Sequence, residues 1–245
     1  MSRLPDVPEF AWPARFRYAY GWRLLGWLLE GHASIRELLS RVWPRGVRRT
    51  IDLTERISEI PFVIGGLRVP PGSRILDVGS RWSPLPLFLA AMGYRVAAVD
   101  LAPFPIQGSG PDFVLADMRR PPFRNESFDA ATVVSTLEHV GLGWYDPRRA
   151  SDDDIRLMAG LRSLLRPNGR LLLTVPYGIP EEDRHQRAYG QDRLGRATAG
   201  WTREAERYAV RDGTRWREGT EAEAARARSI PETRAVAMLI LRKAG

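Results

Sequence analysis

The sequence contains no cysteine. That absence excludes a disulfide framework, a thiolate zinc site and any mechanism that needs a thiol nucleophile. Lysine is almost missing as well: Lys243 is the single one, so 36 of the 37 basic side chains are arginines. No apolar run approaches the ~20 residues that a membrane-spanning helix requires. Arg3, Asp6, Glu9 and Arg15 interrupt any signal-peptide core. The expectation is a soluble, cytoplasmic protein. Internal repeats and low-complexity tracts are also lacking, and 44% hydrophobic with 27% charged residues excludes wholesale disorder.

What is present is 245 residues with a formal net charge of +8. Nine arginines and four acids fall within residues 1–50, so about five of those charges lie there. The basic excess is an N-terminal property, and a nucleic acid partner is not expected for the rest of the chain. The same stretch is rich in aromatics. Phe16, Tyr20, Leu24 and Trp27 fall at helical spacing and predict a helix over 13–30. Three readings stand for it: a cover over a pocket, a homodimer contact, or peripheral attachment to a membrane surface. Further helices are predicted over 34–42 and near 53–60, the latter ending before Pro61.

From residue 72 onward, short apolar runs alternate with helical stretches. Strands are predicted at 74–78, 95–99, 113–116, 128–135 and 170–175, with helices at 84–92 and 151–165. Ser151 is placed as the cap of the second helix, and Arg166-Pro167-Asn168-Gly169 as its stop. This alternation argues an α/β fold with a parallel sheet and right-handed crossovers. Residues from about 178 to 206 are polar and Arg-rich and read as a lid with some helix. Strands at 207–211 and 235–242 follow.

The chemistry concentrates after the first strand, in Ile75-Leu76-Asp77-Val78-Gly79-Ser80-Arg81-Trp82-Ser83-Pro84. A strand enters a turn at Gly79 and a helix follows, which is where open α/β sheets bind ligands. Gly79 lets backbone approach a ligand without a Cβ in the way. Asp100 ends the next strand 21 residues later, the spacing of a carboxylate that accepts two ribose hydroxyls. Asp117 can receive an exocyclic amine such as adenine N6, with the Met118 backbone beside the ring. A dinucleotide oxidoreductase would need two more glycines in the turn, and neither is present.

These fragments, with Val99-Asp100-Leu101, Ala116-Asp117-Met118, Ser127-Phe128-Asp129-Ala130, Ser135-Thr136-Leu137-Glu138-His139-Val140 and the run from Leu165 to Pro176, resemble the class I S-adenosylmethionine (SAM)-dependent methyltransferases. The resemblance implies a Rossmann-like sheet of seven strands, the last antiparallel; with the composition shift near residue 70, this divides the chain into an N-terminal helical extension over 1–70 and a methyltransferase domain over 71–245. It implies SAM as cofactor. The turn of Asp77, Gly79, Ser80 and Arg81 would hold its methionine part, Asp100 and Leu101 the ribose, and Asp117 and Met118 the adenine. Ser135 joins this set at the end of the fourth strand. The family's Asp-x-Gly-x-Gly-x-Gly keeps only Gly79, with Arg81 and Ser83 at the later glycine positions, and Arg81 is thereby available to pair with the cofactor's carboxylate.

For the acceptor side, His139 has the unperturbed pKa of a base near neutrality, against a structural role at a helix start. Glu138 either faces the sulfonium or caps a helix. Trp144 and Tyr145 are candidate walls of the acceptor pocket, and His185, Arg187 and Tyr189 candidate substrate contacts in the lid. Asp152-Asp153-Asp154 superficially resembles a metal cluster but fits a helix dipole better; no metal is expected. The Asn/Asp-Pro-Pro-Tyr/Phe signature of amino-methylating DNA enzymes is absent after strand four. Methylation of oxygen or nitrogen on a small molecule, a sugar or natural product, is the function these features favour. A catalytically silent methyltransferase-like binding subunit and an RNA methyltransferase using the basic N-terminal region are the alternatives.

Overall fold

The computed structural model describes residues 54–104, 110–145 and 149–244. The helices expected over 13–30 and 34–42 lie outside these residues. Helix α1 (Arg56–Gly66) runs through Pro61 instead of stopping before it. Proline leaves unpaired the carbonyl four residues back, on Ile57, and Ile57 is exposed, so water is at hand for it. The opposite stripe, Glu59, Val63 and Gly66, is buried. A Cβ on Gly66 would press into Leu172 and Ile240, which shows how closely α1 packs on the sheet. Burying Val63 and Leu67 at roughly 1.5–3 kcal/mol each offsets proline's cost of about 3 kcal/mol.

The sheet is built from β1 (Arg74–Val78), β2 (Arg95–Asp100), β3 (Asp112–Leu115), β4 (Phe128–Val134), β5 (Leu165–Pro176), β8 (Thr202–Asp212), β9 (Arg215–Gly219) and β10 (Ala235–Arg242). Its order is β3-β2-β1-β4-β5-β10-β8-β9. Strands β1 to β5 pair in parallel, and β10 lies antiparallel between β5 and β8. Seven of the eight strands are those the resemblance implied. The eighth, β9, extends the edge as a hairpin on β8. Its sequence, Arg-Trp-Arg-Glu-Gly, reads as loop because Trp216 is its single apolar side chain, yet charge is what keeps an edge strand from pairing with another molecule.

Two further differences are local. Strand β8 begins at Thr202, inside the segment read as lid. The Arg166–Gly169 stop is absorbed into β5 as a bulge: Asn168 has φ 62°, and the partners of β5 on β4 shift between Phe128 and Ala130. The register of a paired strand therefore starts at Leu165, five residues before Arg170.

Helices cover both faces. On one, Val63, Leu67, Leu85 and Leu89 pack on Ile75, Val96, Ala130 and Leu172. These come from α1 and from α2 (Leu85–Ala91). On the other, Leu157, Met158, Leu161 and Leu194 pack on Leu76, Val133, Leu171 and Leu173. Those helices are α3 (Asp153–Leu164) and α4 (Gln191–Ala197). Neighbours such as Leu171 and Leu172 point to opposite faces, as the pleat demands. The short hairpin β6 (Glu181–Glu182) with β7 (Arg187–Ala188) stands apart from the sheet, and α5 (Glu221–Ala224) precedes β10. Because β1 to β5 are parallel, their carboxyl ends share one rim, and every predicted site residue lies at or after one of those ends or in the segment after β5. Among the described residues, no helix is long and apolar enough to cross a membrane.

Candidate active site

Gly79 sets the geometry of the rim. It takes φ 80° and ψ 41°, and its N–H donates to the Val99 carbonyl of β2 at 2.8 Å. A Cβ at this position would fall inside the Thr136 side chain. Gly79→Ala combines a left-handed backbone with an overlap, and should lower unfolding free energy by roughly 2–4 kcal/mol. Urea melts check this, and trimming the obstacle in Gly79→Ala/Thr136→Ala should recover part of the loss.

Asp100 is held by the turn it faces. Its Oδ2 accepts from the Arg81 N–H at 3.0 Å and its Oδ1 from the Ala102 N–H at 3.0 Å. Each oxygen keeps a second lone pair for an outside donor. Leu101, next to it, is exposed. The Arg81 guanidinium lies 4.9 Å from the centre of the Trp82 ring.

Behind the turn the rim is acidic and dry. Asp77 accepts from Thr132 Oγ1 at 2.5 Å through Oδ1, while its buried Oδ2 has no hydrogen-bond partner. Burial pushes the Asp77 carboxyl up to about 6. Glu59, from α1, accepts from Ser135 Oγ at 2.7 Å through Oε1. Its Oε2 has only the Arg56 Nε at 3.8 Å. Ser135 itself sits at φ 41°, which turns the chain off β4. Glu138 is buried with Oε2 unpartnered, and burial, reinforced by Glu59, raises its pKa well above the usual carboxylate range. The buried Ser80 Oγ is unpartnered too.

Four unpartnered polar atoms, on Asp77, Ser80, Glu59 and Glu138, thus occur on residues at or packed against the carboxyl ends of β1 and β4. Each such orphan costs a fold about 1–3 kcal/mol, so a ligand with ammonium and hydroxyl donors is what the set suits. The cofactor implied by the resemblance carries both. Glu59 was missed in the sequence, although the signal was there: a lone carboxylate on the otherwise apolar buried stripe of α1.

Asp117 is placed differently from its expected role. Both its oxygens are engaged by Arg119, with Nε on Oδ1 at 2.9 Å and Nη2 on Oδ2 at 2.6 Å. An adenine amine would have to compete with that guanidinium. Met118 points into the core, which leaves only its backbone for a ring to meet.

On the acceptor side, Leu137–His139 form one 3₁₀ turn, and no side chain caps it, so Glu138 has no capping role. His139 Nδ1 lies 2.6 Å from the His185 carbonyl oxygen. A carbonyl can only accept, so Nδ1 carries the proton and Nε2 holds the free lone pair. Burial, chiefly, lowers the ring's pKa to about 4. The ring packs edge-on to Tyr145 and tilted against His185, with centroids 5.3 and 4.6 Å away. Trp144 stands edge-on to His185 at 5.4 Å, and Trp144 and Tyr145 are both half exposed. His139, Trp144, Tyr145 and His185 therefore form one cluster.

Arg187 and Tyr189 do not line that cluster's open side: they are 1% and 0% exposed. Their partner is Asp154, which accepts from Tyr189 Oη at 2.7 Å and from Arg193 at 2.8 and 3.0 Å, and lies 3.0 Å from Arg187 Nη1. The acid run that opens α3 is thus more than a dipole complement. Asp153 pairs with Arg119 and Arg156, Asp152 with Arg196, and Ser151 does not cap the helix, whose N-cap position falls on Asp152. Among the described residues no group of acids and histidines is arranged for a metal ion.

A family profile described as a methyltransferase domain matches residues 76–173. A ubiquinone biosynthesis O-methyltransferase of Xanthomonas campestris pv. campestris is 32% identical over 115 residues, which is 43% of this chain and 44% of that protein. The chain thus spans less than half the length of the curated relatives it matches. A Burkholderia thailandensis 1,6-didemethyltoxoflavin-N1-methyltransferase, solved with 1,6-didemethyltoxoflavin and S-adenosylhomocysteine, has a TM-score of 0.53 at 17% identity, covering 93% of this chain and 92% of that one. The [4+2]-cyclase SpnF aligns with a TM-score of 0.55 at 17% identity over 82% and 83% of the two chains. At such identities these likenesses establish the fold.

Proposed function

We propose that this chain, whose residues 76–173 match a methyltransferase-domain profile, is a class I SAM-dependent methyltransferase that methylates a hydroxyl oxygen of a small molecule. Asp77, Ser80 and Glu59 would hold the amino-acid end of the cofactor and Asp100 its ribose. When bound, SAM supplies an activated methyl carbon. What this chain adds is position and a proton acceptor. Trp144 and Tyr145 flank the acceptor, and His139 Nε2 takes the hydroxyl proton as oxygen becomes nucleophilic.

The observation that carries this reading is the fixed tautomer of His139 beside two half-exposed aromatics. Magnitudes then favour one kind of hydroxyl. With the imidazole at about 4, full transfer from a phenol of pKa about 10 is uphill by about 8 kcal/mol. From an alkyl hydroxyl near water's value of about 15.7 it is uphill by about 16 kcal/mol. A phenolic acceptor is therefore preferred over a sugar hydroxyl. The Xanthomonas relative's name, an O-methyltransferase, points to the same acceptor atom.

Calorimetry with S-adenosylhomocysteine tests the cofactor site. Asp100→Ala should weaken binding about 100-fold while lowering unfolding free energy by no more than about 2 kcal/mol. Near-normal affinity in that variant would overturn the assignment. Transfer of a labelled methyl group from SAM to phenols, but not to alkyl alcohols, tests the acceptor. Cofactor binding without transfer to any hydroxyl or amine would leave the chain a binding subunit.

A further inference from the structure

One buried cation is not used by the function proposed above. Arg187 lies on β7 with its side chain sealed from solvent. Its Nη1 donates to the Val140 carbonyl at 3.1 Å and lies 3.0 Å from Asp154 Oδ2. Nε and Nη2 have no hydrogen-bond partner. Those two nitrogens form the side edge of the guanidinium, with parallel N–H bonds, the geometry that takes a carboxylate through two hydrogen bonds at once. An arginine buried with that edge empty is costly, since unpaired charged donors lose more than the 1–3 kcal/mol of a neutral group.

The charge count points the same way. Asp154 is shared between Arg187 and Arg193, so one buried carboxylate faces two guanidiniums. The other acid in reach is Glu182, which stands opposite Arg187 in the β6–β7 hairpin. Its Oε2 is 3.5 Å from Arg187 Nε, an ion-pair distance too long for a hydrogen bond, and the side chain is half exposed. It is also only 3.9 Å from the exposed Arg149. Glu182 therefore covers the edge without satisfying it, and can turn to solvent.

The hairpin that carries Arg187 also reaches the acceptor cluster. Between Glu182 and Arg187 the turn carries Arg184, whose guanidinium lies 4.9 Å from the Trp144 ring, and His185, whose carbonyl fixes His139. Val140, which Arg187 holds through its carbonyl, follows His139 directly.

We propose that the Nε/Nη2 edge of Arg187 is the carboxylate-binding subsite of the acceptor pocket, so that the acceptor is an aromatic acid. This rests on the reading of the His139 cluster as the acceptor site. The acid group displaces Glu182 from the edge, so one carboxylate replaces another against the guanidinium while two hydrogen bonds are gained. The ring then lies along Trp144 and Tyr145.

The test uses the full chain saturated with S-adenosylhomocysteine, with 4-hydroxyphenylacetate and its neutral amide as probes in calorimetric titrations. The acid should bind at least about tenfold more tightly than the amide. Glu182→Gln, which removes the competing charge, should tighten the acid a further several-fold and leave the amide unchanged. Arg187→Lys, which keeps the charge but loses the fork, should erase the preference. Because Arg187 is buried and its variant can fail to fold, Glu182→Gln carries the decision. Equal affinity for acid and amide, no acid binding in either protein, or an acid affinity that Glu182→Gln does not raise would each overturn the subsite. Failure of S-adenosylhomocysteine to bind in the first place would overturn the methyltransferase reading instead.

Discussion

Asp77→Asn is expected to bind S-adenosylhomocysteine at least about 100-fold more weakly, and yet to gain stability relative to the wild type as pH rises. The substitution keeps the Oδ1 acceptor that Thr132 uses and removes the charge. In the folded protein burial holds the Asp77 carboxyl up at about 6, against 3.8 as its ordinary value. Between those values the native state keeps a proton that the unfolded chain releases, so Asp77's contribution to stability is full below about pH 4 and is lost as pH rises through 6. A difference of about two pKa units corresponds to about 3 kcal/mol. The stability difference between variant and wild type should therefore shift in the variant's favour by about 2–3 kcal/mol between pH 4 and pH 7.5. The amide's own packing cost does not depend on pH and cancels from that difference. Urea unfolding at the two pH values measures it. A constant difference would mean that Asp77 is solvated and ionises as in the unfolded chain. A dry carboxylate that lowers stability at neutral pH, retained at the end of β1, is what a site built to receive an ammonium requires.

The parts of this site that were legible in the sequence are those where local pattern and tertiary role coincide. Arg74–Val78 reads as a buried strand because it is buried on both faces, and Gly79 reads as a turn because only glycine fits against Thr136. Strand β10 was found at its predicted bounds, being a nearly unbroken apolar run between two neighbours. Asp100 was expected at a strand end from its distance to Gly79, and β2 ends on it. What escaped depends on partners far away in the chain. The Arg119 clamp on Asp117 is the exception, since it stands only two residues away and no propensity rule announces it. The burial of Arg187 and Tyr189 depends on Asp154, more than thirty residues upstream. A polar lid sequence reads as exposed until a buried acid is found to neutralise it. Pro61 failed as a helix stop for the same reason: packing of one face on β5 and β10 outweighed the local rule.

The electrostatics of the rim follow from its dryness. Asp77, Glu138 and Glu55 are all raised, burial being the first cause in each, and His139 is lowered by the same cause. One desolvated environment thus pushes the acids and the imidazole toward their neutral forms. At neutral pH the His139 ring is uncharged, whereas Asp77, held at about 6, is mostly ionised and is the negative charge that meets a ligand's ammonium.

His139→Asn is expected to lower turnover about 100- to 1000-fold while leaving S-adenosylhomocysteine affinity within about twofold. Asparagine Nδ2 can take the place of the imidazole Nδ1 and donate to the His185 carbonyl, so the turn is kept and only Nε2 is lost. Two pH measurements separate a base from a structural ring. In the wild type, turnover should fall on the acid side with a midpoint near 4, the value burial imposes, rather than near the 6.5 of a free imidazole. Stability gives the opposite sign to Asp77. A histidine whose folded pKa is depressed binds its proton in the unfolded chain first, so stability is lost as pH falls from 6.5 toward 4. That loss is of the order of 3 kcal/mol and should vanish in His139→Asn. In the wild type the two slopes oppose each other over the same interval, and each variant exposes the one that remains. Asp77→Asn should therefore steepen the acid-side loss that His139→Asn removes. An acid limb of turnover at 6.5 would place the imidazole in water and take Nε2 out of the buried cluster, whereas unchanged turnover in His139→Asn would leave proton removal to the solvent.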